Sequence, residues 1–229
     1  SRDIIFYLKN TEEEKVITDP FKNGFTLALR AKPEDRTIRI YEISVRLTDE
    51  TEGDGENFVS LEEAIDALAK WEAGTKHHEY SIAFLKAYSV DTDDIQAMQD
   101  VMQDNSERGK ARSATKITWC ANQTSDGEIV TGNPKTITLS KNLELFGTAS
   151  ITENVFENIT LNGTAAYNIY ANGSVLTVDS TVTMNGTVLP NLYGAGTGKF
   201  KVENTNMTVS GGKFALISGG GASEDAQVT

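Results

Sequence analysis

The chain has 229 residues, with 33 Asp or Glu, 21 Lys or Arg and a formal net charge of −12. Nucleic acids and anionic membrane surfaces attract basic patches, so this balance argues against both as partners. A single cysteine, Cys120, excludes an intrachain disulfide and, with only two histidines, a Cys2His2 zinc site. No apolar run approaches the roughly 18 residues of a membrane-spanning helix, so no membrane insertion is expected.

Residues 1–57 are predicted to form a β-rich segment. The runs 4–8, 25–29 and 38–47 are rich in β-branched and aromatic residues, which favour strands. Within 38–47 the apolar face changes partway, which predicts a bulge or a strand that is covered on both faces. The acidic stretch 49–57, with two glycines, indicates an exposed loop.

Residues 58–116 are predicted to form a helical and β cap, and its first helix has a clear start. Ser60 is a good N-cap, and Glu63 three residues later completes a capping box. Apolar residues then recur at helical spacing and define one buried face. They are Leu61, Ala64, Ile65, Leu68 and Trp71.

A strand over 80–90 and a second helix follow. Thr92 or Asp91 caps this helix, so capping explains the acidic cluster there better than a calcium site does. Its predicted buried stripe is Ile95, Met98, Val101 and Met102. The segment 103–115 is polar and indicates a loop. His77 and His78 are predicted to lie in an exposed loop without neighbouring ligands.

From residue 117 onward the chain repeats. An apolar-Thr-apolar phrase begins at Ile137, Ile159, Val182 and Met207, with starts 22, 23 and 25 residues apart. A unit this short cannot bury its own apolar face, so its copies are expected to stack. The phrase predicts an outer row of Thr138, Thr160, Thr183 and Thr208 and an inner stack of Leu139, Leu161, Met184 and Val209.

Two further columns accompany the phrase. One comprises 144–147, 168–171, 191–194 and 215–218, and the other contains Val155, Val178 and Val202. Three strand columns per repeat predict a mainly β fold, a right-handed parallel β-helix with about 22–25 residues per coil and an N-terminal β/α capping segment.

The predicted divisions of the chain are 1–57, 58–116 and 117–229. Both chain ends look cut from a longer precursor.

The order of motifs resembles a known group of proteins. Residues 58–65 (FVSLEEAI) precede 80–85 (YSIAFL) and, later, 135–139 (KTITL). This arrangement resembles the pectin-lyase-like parallel β-helix regions of bacterial cell-surface, adhesin-like proteins, in which a helix closes the first coil. The resemblance covers roughly 58–229. It implies a secreted or cell-surface location, a stalk or adhesive role, and carbohydrate or a host or cell-surface protein as partner.

Catalytic relatives of that group are polysaccharide lyases and glycoside hydrolases, which leaves an enzyme fragment as the alternative. Glycoside hydrolysis needs paired carboxylates, but the acids after residue 117 are scattered. Glu157, Asp179 and Glu203 lie about one repeat apart and predict an outer acidic row. No arginine follows Arg112. A non-catalytic module is therefore favoured, and no catalytic residue, cofactor or metal ion is predicted.

An aromatic column supplies the best indication of a binding site. Tyr170 and Tyr193 fall in one column beside Phe146, with Tyr167 nearby. Because each tyrosine adjoins an inward residue, Ile169 or Leu192, the rings are expected to face outward and to stack on sugars. The alternative is that the strand corners turn these rings into the core.

Overall fold

The computed structural model describes residues 40–49, 55–103, 105–121, 132–147, 152–197 and 202–221. The chain divides into two units, 1–40 and 41–229, and the fold described below is that of the second. The strands predicted at 4–8 and 25–29 lie outside the described residues. Within them the protein is mainly β, with few helices and mostly parallel sheets.

Two α-helices form where the sequence predicts them. Helix α1 spans Leu61–Trp71, and the Ser60 side chain accepts a 3.1 Å hydrogen bond from the Glu63 amide. Helix α2 spans Thr92–Val101 with Asp91 as its N-cap in a capping box. Trp71 is 38% exposed and packs by its ring against Phe58 and Tyr80 rather than in the core. The other predicted stripe residues of both helices are buried.

The segment 103–115, predicted as a loop, contains a 3-10 helix, Glu107–Ser113. Although its sequence is polar, two of its residues are buried, Ala111 and Arg112. Charged side chains here pair with the α-helices, so polarity does not indicate an irregular segment. Arg108 bonds to Glu62 and Asp66 of α1 and to Asp100 of α2.

Fifteen strands in the described residues form three sheets. In chain order they are β1 Ile43–Leu47, β2 Gly55–Phe58, β3 Glu79–Phe84, β4 Tyr88–Ser89, β5 Lys116–Ala121, β6 Lys135–Leu139, β7 Leu143–Glu144, β8 Glu153–Phe156, β9 Ile159–Gly163, β10 Asn168–Tyr170, β11 Val175–Val178, β12 Thr183–Asn185, β13 Asn191–Tyr193, β14 Asn206–Val209 and β15 Leu216–Ser218.

The first sheet has the order β14-β11-β8-β5-β3-β1-β2, the second β12-β9-β6-β4 and the third β15-β13-β10-β7. Only β1 pairs antiparallel within these sheets, with β2 on one side and β3 on the other. From β8 to β13 the chain visits the first, second and third sheets in turn, twice, and each strand pairs in parallel with its predecessor in the same sheet.

The first sheet crosses both predicted divisions of the chain. Strand β2 ends at Phe58 and pairs with β1, while β3 pairs with β5, which begins at Lys116. Strand β1 has Ile43, Ser44 and Val45 all buried, so it is covered on both faces. Of the two predictions for this strand, a bulge or cover on both faces, the second is the one observed here. The two compact units of the chain are divided after Ile40.

The fourth copy of the repeated phrase occupies a different sheet from the other three. β6, β9 and β12 share the second sheet, whereas β14 lies in the first, where Thr208 pairs with Thr177. Alternation of apolar and polar residues indicates one buried face, but any of the sheets satisfies it. The prediction of a single outer row of four threonines is therefore wrong.

The register also differs from the predicted columns. Thr160 pairs with Thr183 as expected, but its other neighbour is Thr136, because Thr138 pairs with Asn162. A shift of two residues keeps the same face inward, so the sequence pattern does not reveal it. Val178 pairs with Phe156 and Val209 rather than with Val155 and Val202, and this one-residue change puts Val155 on the other face.

The core is a continuous cluster of apolar side chains from the helices and all three sheets. It includes a small cavity of about 20 Å³ lined by residues of α1, β3 and β5 to β9, among them Leu61, Trp119 and Phe156. Its lining is apolar and its volume is near that of one water, so it offers no room for a ligand.

Candidate functional site

The outer face of the third sheet carries two stacked tyrosines. In β10 and β13, Ile169 and Leu192 are fully buried, and the residues on either side of them belong to the opposite face. The rings of Tyr170 and Tyr193, which pair across these strands, have centroids 5.5 Å apart and planes inclined by 21°. Offset stacking at this separation is favourable for aromatic rings.

Two asparagines run beside the tyrosines. Asn191 Nδ2 donates to Asn168 Oδ1 at 2.9 Å, and Asn168 Nδ2 donates to the Tyr170 hydroxyl at 2.8 Å. The four side chains, Asn168, Tyr170, Asn191 and Tyr193, are termed the Tyr-Asn ladder below. The two asparagines were not predicted as site residues, although the repeated Asn-x-Tyr pattern places them on the same strand face as the rings.

The two rings differ in exposure. Tyr170 is only 3% exposed, whereas Tyr193 is half-buried. Burial raises the pKa of Tyr170, and the hydrogen bond from Asn168 opposes that rise. Tyr193 therefore offers the accessible aromatic surface of the ladder, and the buried Tyr170 ring stacks against it. Whether the ladder binds a ligand stays a prediction.

Tyr167 and Phe146 do not belong to this face. Tyr167 is 3% exposed and lies in the core cluster, which matches the alternative prediction that aromatic residues turn into the core. Burial raises its pKa to about 12. Phe146 is fully buried against Trp119. The residue that pairs with Tyr170 is Glu144, which is 6% exposed. The predicted aromatic column is thus corrected to Glu144, Tyr170 and Tyr193.

Two residues of the predicted outer acidic row, Glu157 and Asp179, lie close enough for their charges to interact. Burial and the charge of Asp179 raise the pKa of Glu157, whereas hydrogen bonds from Thr181 lower the pKa of Asp179. Asp179 accepts from the Thr181 amide and hydroxyl within its own turn. These bonds give Asp179 a local role at a turn. Glu203 is exposed.

Cys120 is fully buried in β5, as expected for a cysteine that packs as a small apolar residue. Burial, with a smaller contribution from Glu157, raises the pKa of its thiol to about 12. Thiolate formation at neutral pH is strongly disfavoured in this setting. The side chain therefore lacks the properties of a nucleophile.

The histidines have close acidic neighbours, contrary to prediction. His77 Nδ1 lies 2.9 Å from Glu72 Oε2, and His78 Nδ1 lies 3.1 Å from Asp49 Oδ2. The Glu72 carboxylate is buried and also accepts from the Tyr80 hydroxyl at 2.7 Å. Within the described ranges, no group of three or more His, Cys, Asp or Glu side chains is arranged to hold a metal ion.

Comparison with protein-family models, with curated proteins and with solved structures found no match in any of the three. None of the helices in the described part of the chain has the length and apolarity needed to cross a membrane.

Proposed function

We propose that the described part of residues 41–229 forms a capped, right-handed parallel β-helix that acts as a non-catalytic structural and adhesive module of an extracellular or bacterial cell-surface protein. The carrying observation is the fixed order in which β8 to β13 visit the three sheets, with parallel pairing between successive repeats. Stacking of repeats through parallel strands produces surfaces on which the same side-chain types recur in rows.

Two observations favour a role in presenting these rows. In the second sheet the Thr160 and Thr183 hydroxyl oxygens are 2.8 Å apart. In the third sheet the Tyr-Asn ladder combines a stacked aromatic pair with amide donors and acceptors. The resemblance of the chain to bacterial surface β-helices favours the same location and role.

We infer that the partner of the ladder is a carbohydrate. Tyrosine rings bind the apolar faces of sugars, and flanking amides hydrogen-bond to sugar hydroxyls. Tyr193 supplies the accessible ring, and Asn191 lies on the same face and is partly exposed.

Binding of the purified chain to an array of bacterial, plant and host oligosaccharides tests this proposal. Replacing Tyr193 with Ala is expected to weaken binding roughly three- to tenfold, the value of about one aromatic contact. Tyr41→Ala is the matched control, because Tyr41 is also half-buried but precedes β1. Absence of binding to every sugar, or equal losses in the two variants, would refute the carbohydrate role.

A further inference from the structure

Three Asn-Gly pairs lie within the described residues, at Asn162, Asn172 and Asn185. A fourth, Asn23-Gly24, falls outside them. In any Asn-Gly pair, the backbone nitrogen of glycine can attack the asparagine side-chain carbonyl carbon, because glycine has no side chain to obstruct the approach. Folding decides which pair reacts, since the attack requires an exposed side chain, a backbone nitrogen outside the sheet ladder and local freedom of movement.

In the Asn172-Gly173 pair, hydrogen bonds hold both the asparagine side chain and the glycine amide. Asn172 is fully buried and its Nδ2 donates to the Leu145 carbonyl at 3.0 Å. The Gly173 amide donates to the Gly194 carbonyl at 2.9 Å, so the attacking nitrogen is already occupied. Reaction here requires prior opening of the structure.

The Asn162-Gly163 pair is intermediate. Both residues lie inside β9, where Asn162 pairs with Thr138 and Asn185, and Gly163 pairs with Leu139. Gly163 is buried, and the Tyr167 ring lies against the position that a Cβ would take. The pair is thus confined by a strand on each side.

The Asn185-Gly186 pair is restrained on one side only, where Asn185 pairs with Asn162 and the Gly163 carbonyl lies against the position that a Cβ of Gly186 would take. β12 ends at Asn185 and is the last strand of the second sheet, and both residues are exposed. The Gly186 amide leaves the ladder with φ +109° and donates to Asn185 Oδ1 at 3.0 Å. This contact brings the glycine nitrogen beside the side-chain carbonyl group that it would attack.

We propose that Asn185 is a site of spontaneous deamidation. The Gly186 nitrogen gives up its proton to solvent and bonds to Asn185 Cγ, Nδ2 takes up a proton from solvent, the Cγ–Nδ2 bond breaks, and ammonia leaves. Water then adds to one of the two carbonyls of the cyclic imide and opens it to aspartate or isoaspartate. The product carries a new negative charge on the outer face of the second sheet, next to Asn162, and the isoaspartate form lengthens the backbone at the end of β12.

Mass spectrometry of the intact, folded chain after incubation at mildly alkaline pH tests the proposal. No Lys or Arg lies between Lys141 and Lys199, so one tryptic peptide carries all three pairs and fragment ions must separate them. We expect Asn185 to convert about tenfold faster than Asn172, or more, because Asn172 needs a local opening first. Asn162 is expected to fall between them.

Two controls keep the result interpretable. In denaturant the three rates should converge, since the same dipeptide is then equally free at each position. Asn185→Gln, at an exposed position, should abolish the signal there and leave the other two unchanged. An intact Asn185 in the folded chain, equal folded rates at the three positions, or the same order of rates in denaturant would each overturn the proposal.

Discussion

Around α1 and α2, single polar side chains tie several elements together. The buried Asp94 carboxylate accepts from the Tyr88 hydroxyl at 2.7 Å, from the Glu62 amide at 2.9 Å and from the Asp91 amide at 3.2 Å. It therefore serves the N-terminal ends of both helices. The Tyr88 hydroxyl in turn accepts from the Leu61 amide at 2.9 Å.

In β8 to β13, by contrast, most contacts repeat from one strand to the next. Ile169 lies beside Leu192, Leu161 beside Met184 and Thr160 beside Thr183. Stability in such an arrangement is spread over many similar neighbours. A single substitution is thus expected to cost most in the helical region and at the few strand positions that carry a unique network.

Asp94→Ala is the substitution with the largest expected effect. It leaves three buried or partly buried donors without an acceptor, so the free energy of unfolding should fall by about 3–4 kcal/mol. Urea denaturation measures the change. Asp93→Ala is the control, because Asp93 is exposed in the same helical turn and should cost at most about 1 kcal/mol. Equal losses would contradict the double-capping role of Asp94.

Asn154→Ala tests a unique network inside the strands. The buried Asn154 side chain accepts from Trp119 Nε1 at 3.0 Å and donates to the Phe146 carbonyl at 2.8 Å and to Ser174 Oγ at 2.9 Å. Its loss should lower the free energy of unfolding by about 2–3 kcal/mol. The exposed Asn206→Ala variant should stay within about 0.5 kcal/mol of the wild type. A tolerated Asn154→Ala would show that the strands do not depend on this network.

Arg108→Ala tests the ionic contacts of the helical region. Arg108 bonds to Glu62, Asp66 and Asp100, and the contact with Asp66 contributes most to raising its pKa. Because the acids are partly exposed, we expect a loss of about 1–2 kcal/mol that shrinks in high salt. Lys110→Ala removes an exposed pair with Glu107 and should change stability by less than about 0.5 kcal/mol. A loss at Arg108 that salt leaves unchanged would contradict an ionic origin.

The raised pKa of Cys120 predicts that the free energy of unfolding depends on this residue only in alkaline solution. The folded thiol has its pKa raised to about 12, above that of about 8.5 in an unfolded chain. The folded state therefore holds the proton longer, and its stability should fall by at most about 1.4 kcal/mol per pH unit between these two values. Cys120→Ala should remove this component from the pH profile. A profile that the substitution does not alter would contradict the raised pKa.

The local signals in the sequence predict the helical region well, because its caps and stripes involve neighbouring residues. Ser60, Asp91 and the apolar stripe of α2 take the predicted roles. The 3-10 helix was missed, since Arg108 pairs with residues that are distant in sequence.

The strand columns show the limit of periodicity. An alternating pattern fixes which face is buried, yet it leaves the register open to shifts of two residues, as at Thr138 and Tyr170. For the same reason the sequence predicted Phe146 rather than Glu144 beside Tyr170. The outward position of Tyr170 followed from its neighbour Ile169, but its low exposure depends on packing that no local pattern encodes.

Disulfide formation between engineered cysteines tests the stacking of repeats most directly. On a Cys120→Ser background, cysteines at Thr160 and Thr183 should oxidise readily within the folded chain, because these residues pair across adjacent strands at a spacing of about 4.8 Å, suitable for a disulfide. Cysteines at Thr183 and Thr208 have nearly the same sequence separation but lie in different sheets, so they should remain reduced. Cross-linking of the second pair without the first would contradict the parallel arrangement on which the proposed β-helix rests.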